Sequence, residues 1–391
     1  MNIILKAFGN EFSKEILERC LRDIHIETCI FIENHEEQKP DIHMKEYIWM
    51  NATPLMDGQY QNIDWNTITP LDEELLESMQ NTEAVFLMQI ERYAHNKNIS
   101  YRERKRQYLH HLRFWNHTLS TKNIQLLLMN NIPHQCYDQV LYDLCKLKNI
   151  PTFHIERYDN VDACSLEEDW ESSGIEIRRT LEILQKEYTN ENKEISLSPI
   201  YEEYFQSYAH ENTTPWYMLE RSKRQDKQSF FLKWIGISAK MLIKNPIKFL
   251  RLVASPSVWA RKKRQHRAAT LYDQYTAIPD LSQQYIYAPL HEQPEATTCP
   301  MAGAFSDQQL IVQLIAKCLP EGVRIYVKEH PAQGERCRNE EFYKDILSIP
   351  SVTLVPRSFS TFALMDSAAA IATATGTAGF EGLFRGKPVL M

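Results

Sequence analysis

Val323-Arg-Ile-Tyr-Val-Lys-Glu-His-Pro331 decides the fold. An apolar run of strand length gives way to Lys328, Glu329 and His330 and is closed by Pro331; that pattern reads as a buried strand ending in a polar loop. On its N-terminal side Leu310, Ile311, Leu314, Ile315 and Cys318 recur at the helical period, with Asp307 near the expected helix start, where a carboxylate suits the dipole. A further apolar run precedes that helix at 285–288, and others follow at 352–355, 370–373 and 388–391, with helical patterns between them. Strands and helices alternating in this way predict a parallel sheet covered by helices, a Rossmann-like unit over 283–391. The last run stops at Met391 as if in mid-strand, so this domain is expected to be incomplete.

The N-terminal part repeats the pattern. Apolar runs at 2–5, 24–32, 84–88, 124–129 and 152–155 read as strands, and 11–22, 102–115 and 135–147 as helices. These give a second Rossmann-like domain over 1–174. Between the two, 175–282 loses its strand signals and becomes charged and helix-favouring, a connector or insertion. Within it, 221–267 holds 14 Lys or Arg against one acidic residue, Asp226. Lys240, Lys244, Lys248 and Arg251 fall at helical spacing on one face, with Trp234 and Phe249 nearby, so the stretch reads either as a solvated helix face or as a contact with an anionic inner-membrane surface.

A chain of 391 residues suits two domains, and 43% hydrophobic with 24% charged residues is the composition of a globular protein. A net charge of -7 argues against nucleic acid as a partner. The eight cysteines show no CxxC pair and no spacing suited to zinc, so they read as reduced core thiols. No signal-peptide pattern and no long uncharged apolar stretch occurs, which predicts a cytoplasmic protein.

Three loops carry the chemistry. Lys328 and His330 stand where a strand faces the ligand crevice, and Pro331 favours an extended backbone at His330, so both can offer donors to a phosphate; a surface-loop histidine is the plainer alternative. Thr373-Ala-Thr-Gly-Thr-Ala-Gly-Phe-Glu381 follows the next strand. Its small residues admit a phosphate close to the backbone, Thr375 or Thr377 could cap the next helix, Gly376 keeps the turn open, and Glu381 could accept hydrogen bonds from a ribose. A tight turn with one solvated carboxylate reads the same way. Pro289-Leu-His-Glu-Gln-Pro-Glu295 supplies His291 and Glu295 as candidates for acid/base work on a sugar. In the first domain His134 and Glu156, at expected strand ends, are candidates for the acceptor side, although structural roles suit them equally.

PLHEQPEATTCP, VKEHP and TATGTAGFEGLFRGKPVL, in this order, resemble the bacterial capsule polysaccharide biosynthesis proteins, which include Kdo transferases. The resemblance implies a GT-B-like fold with two Rossmann-like domains facing a cleft, a nucleotide-sugar donor held by the second domain, no cofactor and no required metal. It implies a glycan or glycolipid acceptor. A similar His-Pro pair in bacterial sialyltransferases holds a CMP phosphate, which places His330 in that role and favours a CMP-activated acidic sugar such as Kdo. A nucleotide-sugar 2-epimerase-like enzyme and a non-catalytic component of capsule assembly or export are the competing expectations.

Overall fold

A computed structural model of the chain describes residues 1–94, 99–158, 163–188, 196–212, 246, 255–331, 333 and 338–391. The chain divides into two compact units, Met1–Ser196 and Leu197–Met391. That division falls inside the stretch expected as a connector. Lys240, Lys244, Lys248 and Arg251, on which the membrane expectation rests, lie outside the described residues. No described helix is long and apolar enough to cross a membrane.

The first unit runs β1 (Asn2–Lys6), α1 (Glu11–Leu21), β2 (Ile26–Glu33), β3 (Met44–Asn51), α2 (Ala52–Met56), α3 (Glu73–Ser78), α4 (Gln80–Ala94), α5 (Tyr101–Thr121), β4 (Leu126–Met129), α6 (Tyr137–Leu147), β5 (Thr152–Tyr158), β6 (Ala163–Glu167) and α7 (Ile175–Tyr188). Its sheet has the order β3-β2-β1-β4-β5-β6. All pairs are parallel except β5 with β6. The centre of β1 is fully buried because helices cover both faces, which is why Ile3, Ile4 and Leu5 form an unbroken apolar run.

The run 84–88, expected as a strand, lies inside α4. Thr82, Phe86, Gln89 and Ile90 are its buried positions, a helical spacing that a short apolar run cannot announce by itself. β3 went unpredicted because it carries polar residues at Lys45 and Glu46 and is only half-buried at the sheet edge. Nor do all the cysteines lie in the core. Cys29, Cys136 and Cys145 are buried, whereas Cys20, Cys164 and Cys318 are exposed.

The second unit runs α8 (Pro199–Ala209), α9 (Pro256–Gln274), β7 (Tyr285–Pro289), α10 (Gln309–Cys318), β8 (Arg324–Lys328), α11 (Glu340–Leu347), β9 (Val352–Val355), α12 (Thr361–Ser367), β10 (Ala370–Ala372), α13 (Thr377–Phe384) and β11 (Val389–Leu390). Its parallel sheet has the order β11-β10-β7-β8-β9. Counted from β7, that is the same Rossmann order as in the first unit, and the Rossmann-like reading of both halves holds. α10 starts two residues later than Asp307 suggests, with Gln308 as its N-cap. The helix that carries the end of the basic stretch is anchored in this core by residues just beyond it: Ala268 and Tyr272 of α9 are buried with Val327, Tyr343 and Leu354.

Candidate functional site

In an open parallel sheet the connections leave opposite faces at the strand-order switch, and a crevice opens beyond the strand ends there. In the second unit the switch lies between β7 and β10. Register sets Pro289 beside Lys328 and Ile371 beside Tyr287, so the loops after β7, β8 and β10 emerge together. Two cavities open there.

The first, of about 310 Å³, is lined by residues that include Tyr287, Lys328, His330, Phe359, Thr361 and Glu381. Pro331 and Thr377 also border it. The second, of about 250 Å³, is lined among others by His291, Glu292, Glu295, His330, Thr375 and Gly376. Pro289, Leu290, His330, Thr377 and Ala378 border both, so the two cavities adjoin. Every second-domain residue expected at the site therefore borders one or both of them. His134 and Glu156 belong to the other unit and border neither. Glu156 lies within β5, opposite Ser165, rather than after the strand, because β5 runs on to Tyr158.

Lys328 is 4% exposed, and its ammonium donates to Thr361 Oγ1 at 2.7 Å. Among the described residues no carboxylate stands within ion-pair distance of it. Burial pushes its pKa down to about 8. Glu381, one turn into α13, is 7% exposed. Burial raises its pKa to about 7, and the Arg385 charge offsets part of that rise.

The N-cap of α13 is Gly376, with no side-chain capping bond. The expected cap from Thr375 or Thr377 is thus not made. Thr375 Oγ1 instead donates to Thr297 C=O at 2.7 Å and ties the small-residue loop to the β7 loop. Thr377 and Ala378, at the start of α13, border both cavities, and a helix start is the kind of position that attracts an anion.

His291 is 8% exposed, and its Nε2 lies 2.8 Å from Thr373 Oγ1. The same nitrogen accepts from the backbone N–H of Ala374 at 3.2 Å and of Thr375 at 3.4 Å. Burial, with His330 and Arg338 nearby, lowers its pKa to about 4. A neutral ring with an occupied Nε2 holds the β10 loop. A Cβ on Gly376 would come within 2.4 Å of His291 Cε1, so only glycine lets the ring pack there.

Glu329 was passed over in the sequence. It is fully buried, and its Oε2 accepts from Arg338 Nε at 3.0 Å and from Tyr343 Oη at 2.7 Å. Tyr272 Oη accepts from the Glu329 N–H at 2.9 Å. The adjacency of Glu329 to Lys328 and His330 was the one sequence signal; partners 9, 14 and 57 positions away gave none.

Residues 296–391 match the family described as capsule polysaccharide biosynthesis protein. No curated protein matches the chain in sequence. Among solved structures, a beta Kdo 2,7 transferase, KpsC of Thermosulfurimonas dismutans, is 10% identical, with 100% of this chain and 78% of that one covered and a TM-score of 0.32. The beta Kdo 2,4 transferase of the same organism is 12% identical over 68% of each chain, with a TM-score of 0.26. The UDP-GlcNAc 2-epimerase of Methanocaldococcus jannaschii is 12% identical, with 99% and 82% covered and a TM-score of 0.23. The family match takes in Thr297, Lys328, His330, Thr375 and Glu381, so the likeness to capsule polysaccharide biosynthesis proteins read from the motifs holds for residues 296–391.

Proposed function

We propose that this chain is a glycosyltransferase of capsule or other surface polysaccharide biosynthesis, with its second unit holding a nucleotide-sugar donor. The observation that carries the reading is Lys328, a buried ammonium without a carboxylate partner among the described residues, set at a strand end on the cavity that the start of α13 also borders. Burying a cation in this way is costly unless an anion completes the site. A donor phosphate supplies that anion.

The donor phosphate sits between Lys328, His330 and the amides at Thr377 and Ala378. Glu381 accepts hydrogen bonds from the ribose, and the aromatic wall of Tyr287, Phe359 and Phe362 borders the nucleoside. As the bond between the sugar carbon and the phosphate oxygen breaks, its electron pair leaves with the phosphate, and these fixed positive groups stabilise the growing charge. The acceptor hydroxyl oxygen forms the new bond to that carbon, and Glu295, on the wall of the second cavity, takes the proton. Lysine, imidazole and backbone amides supply the positive charge, so the reading requires neither metal nor cofactor.

The His330-Pro331 pair favours CMP as the nucleotide and an acidic sugar such as Kdo as the cargo. A glycan or glycolipid is the acceptor. A cytoplasmic protein held at the inner membrane by the basic stretch 221–267 would meet it there.

A thermal-shift screen with CMP, UDP and GDP tests the donor site. A nucleotide at a hundredfold its Kd stabilises the fold by about 2.7 kcal/mol, and CMP is expected to give the largest shift. If none of the three moves the melting temperature, the donor site is misassigned. Radiolabelled transfer from the nucleotide-sugar to capsule oligosaccharide then separates a transferase from an epimerase, which would change the donor with no acceptor present.

A further inference from the structure

We propose that Glu329 and Arg338 are positioning residues that set the donor site through His291, locking three strand-end loops into one rigid frame. The proposal rests on the donor reading above for its purpose, though not for its geometry.

Glu329 uses both carboxylate oxygens. Oε1 accepts the His330 N–H at 2.9 Å, which fixes the β8 loop, while Oε2 receives Arg338 and Tyr343. Arg338 then spends its remaining nitrogens on the β7 loop. Its Nη2 donates to the His291 C=O at 3.0 Å, and its Nη1 reaches Gln293 Oε1. The guanidinium carbon lies over the Phe342 ring, 4.4 Å from its centroid. Gln308 holds the His291 backbone from a second side, accepting its N–H at 2.6 Å and donating to its C=O at 3.2 Å.

With its backbone fixed at both groups, His291 presents Nε2 to Thr373, Ala374 and Thr375, the residues that deliver the chain into α13. One carboxylate thus sets the position of His330 on one side and of the α13 amides on the other.

A buried ion pair contributes little net stability compared with apolar residues of the same volume. What the pair supplies is direction. A guanidinium fork satisfies a carboxylate and a backbone carbonyl at fixed angles, which a lysine or an apolar side chain cannot do. A nitrogen that accepts from two backbone N–H groups carries no proton of its own, so the ring is the neutral Nδ1–H tautomer, assigned from its donors.

Arg338→Lys keeps the charge and removes the fork, and His291→Gln keeps a neutral acceptor at a comparable reach without the ring. In the full-length chain, hydrogen exchange of the amides at 374–378 is expected to quicken about tenfold in Arg338→Lys, with the melting temperature near that of the parent. CMP affinity should fall about tenfold in the same variant. His291→Gln should restore part of the protection that His291→Phe loses. Unchanged exchange at 374–378 in both Arg338→Lys and His291→Phe overturns the proposal. If the parent binds no nucleotide, the donor reading fails, while the exchange measurement still decides the positioning claim.

Discussion

The two sheets share one strand order and place a buried lysine at the end of an inner strand, yet they treat that lysine in opposite ways. In the first unit Lys6, 1% exposed at the end of β1, lies 2.7 Å from the fully buried Asp138 at the start of α6. Burial pushes the Asp138 carboxyl up, but Lys6 and His134 pull it down by more, and it stays below the usual carboxylate range. The charge is cancelled inside the protein. In the second unit Lys328 ends β8 with the Thr361 hydroxyl beside it and no carboxylate among the described residues, and a cavity of about 310 Å³ lies against it. A cation neutralised by its own fold supports packing; a cation without a counter-charge among the described residues suits the anion proposed for it. Position within the fold therefore does not assign the role, but the partner does.

The largest effect should come from breaking the closed pair. Asp138→Ala strands a buried ammonium, and removal of one member of such a pair costs about 3–5 kcal/mol. Urea denaturation would show the loss, with CMP binding by the remaining folded protein unchanged. A loss below about 1 kcal/mol would mean that Lys6 is solvated in solution, and the contrast between the two lysines would go.

Next in size is the mirror experiment. Lys328→Met removes a buried charge that has no carboxylate partner among the described residues, so stability should hold or rise. Nucleotide affinity should fall by about 1.5–3 kcal/mol, on the order of 10- to 150-fold, the usual worth of a hydrogen bond to a charged group. Calorimetric titration with CMP reads this directly. Loss of stability with unchanged affinity would reverse the assignment of the two lysines.

The same contrast explains how far the sequence could be read. The strands at 285–289, 324–328 and 352–355 were legible because both faces are covered and their inner positions are mostly apolar, with the charged Arg324 and Lys328 at the ends of the second. The segment 84–88 was misread because five apolar residues fit either period, and only the packing of Phe86 and Ile90 into the core shows a helix. At the site, Lys328, His330 and the loop before α13 stood out since each follows a strand directly. Asp138 and Glu329 did not. What marks them is a partner distant in the chain, Lys6 or Arg338, and no local pattern records that.

A smaller effect concerns pH. Glu381 is raised to about 7, so as a carboxylate acceptor for ribose it is available above that value. Lys328 is lowered to about 8, so as a cation for phosphate it is available below that value. CMP affinity should peak between these pH values and fall about tenfold for each unit beyond them. For stability the Glu381 sign is the reverse of the usual carboxylate case. The folded chain keeps this proton where the unfolded chain has released it, so the contribution is full below the ordinary carboxyl value of 4.5 and is lost as pH rises through about 7. Glu381→Gln should flatten both the acid limb of binding and that stability slope. An acid limb that persists in the variant belongs to another group.

The smallest effect is expected in the first unit, at Glu156. This side chain is 42% exposed, and its carboxylate lies 3.7 Å from the ring of the buried His154. A pair at that distance with one solvated member is screened and contributes little. Glu156 is placed differently from the second unit's site: the residue lies within an antiparallel pair, opposite Ser165, and borders neither of that site's two cavities. Glu156→Gln should therefore shift the urea midpoint by no more than about 0.5 kcal/mol of stability. It should leave CMP affinity alone, and transfer to a capsule oligosaccharide should change by less than about twofold. The measurement that matters is KM for the oligosaccharide at saturating donor. An increase of about tenfold in that KM, with donor affinity and stability unchanged, would place an acceptor hydroxyl at Glu156, since a bond to a charged group is worth about that much. The first unit would then hold a working polar group that its burial and hydrogen bonds do not mark. The rule drawn from the two lysines, that an internal partner separates structure from function, would then apply to buried charges alone.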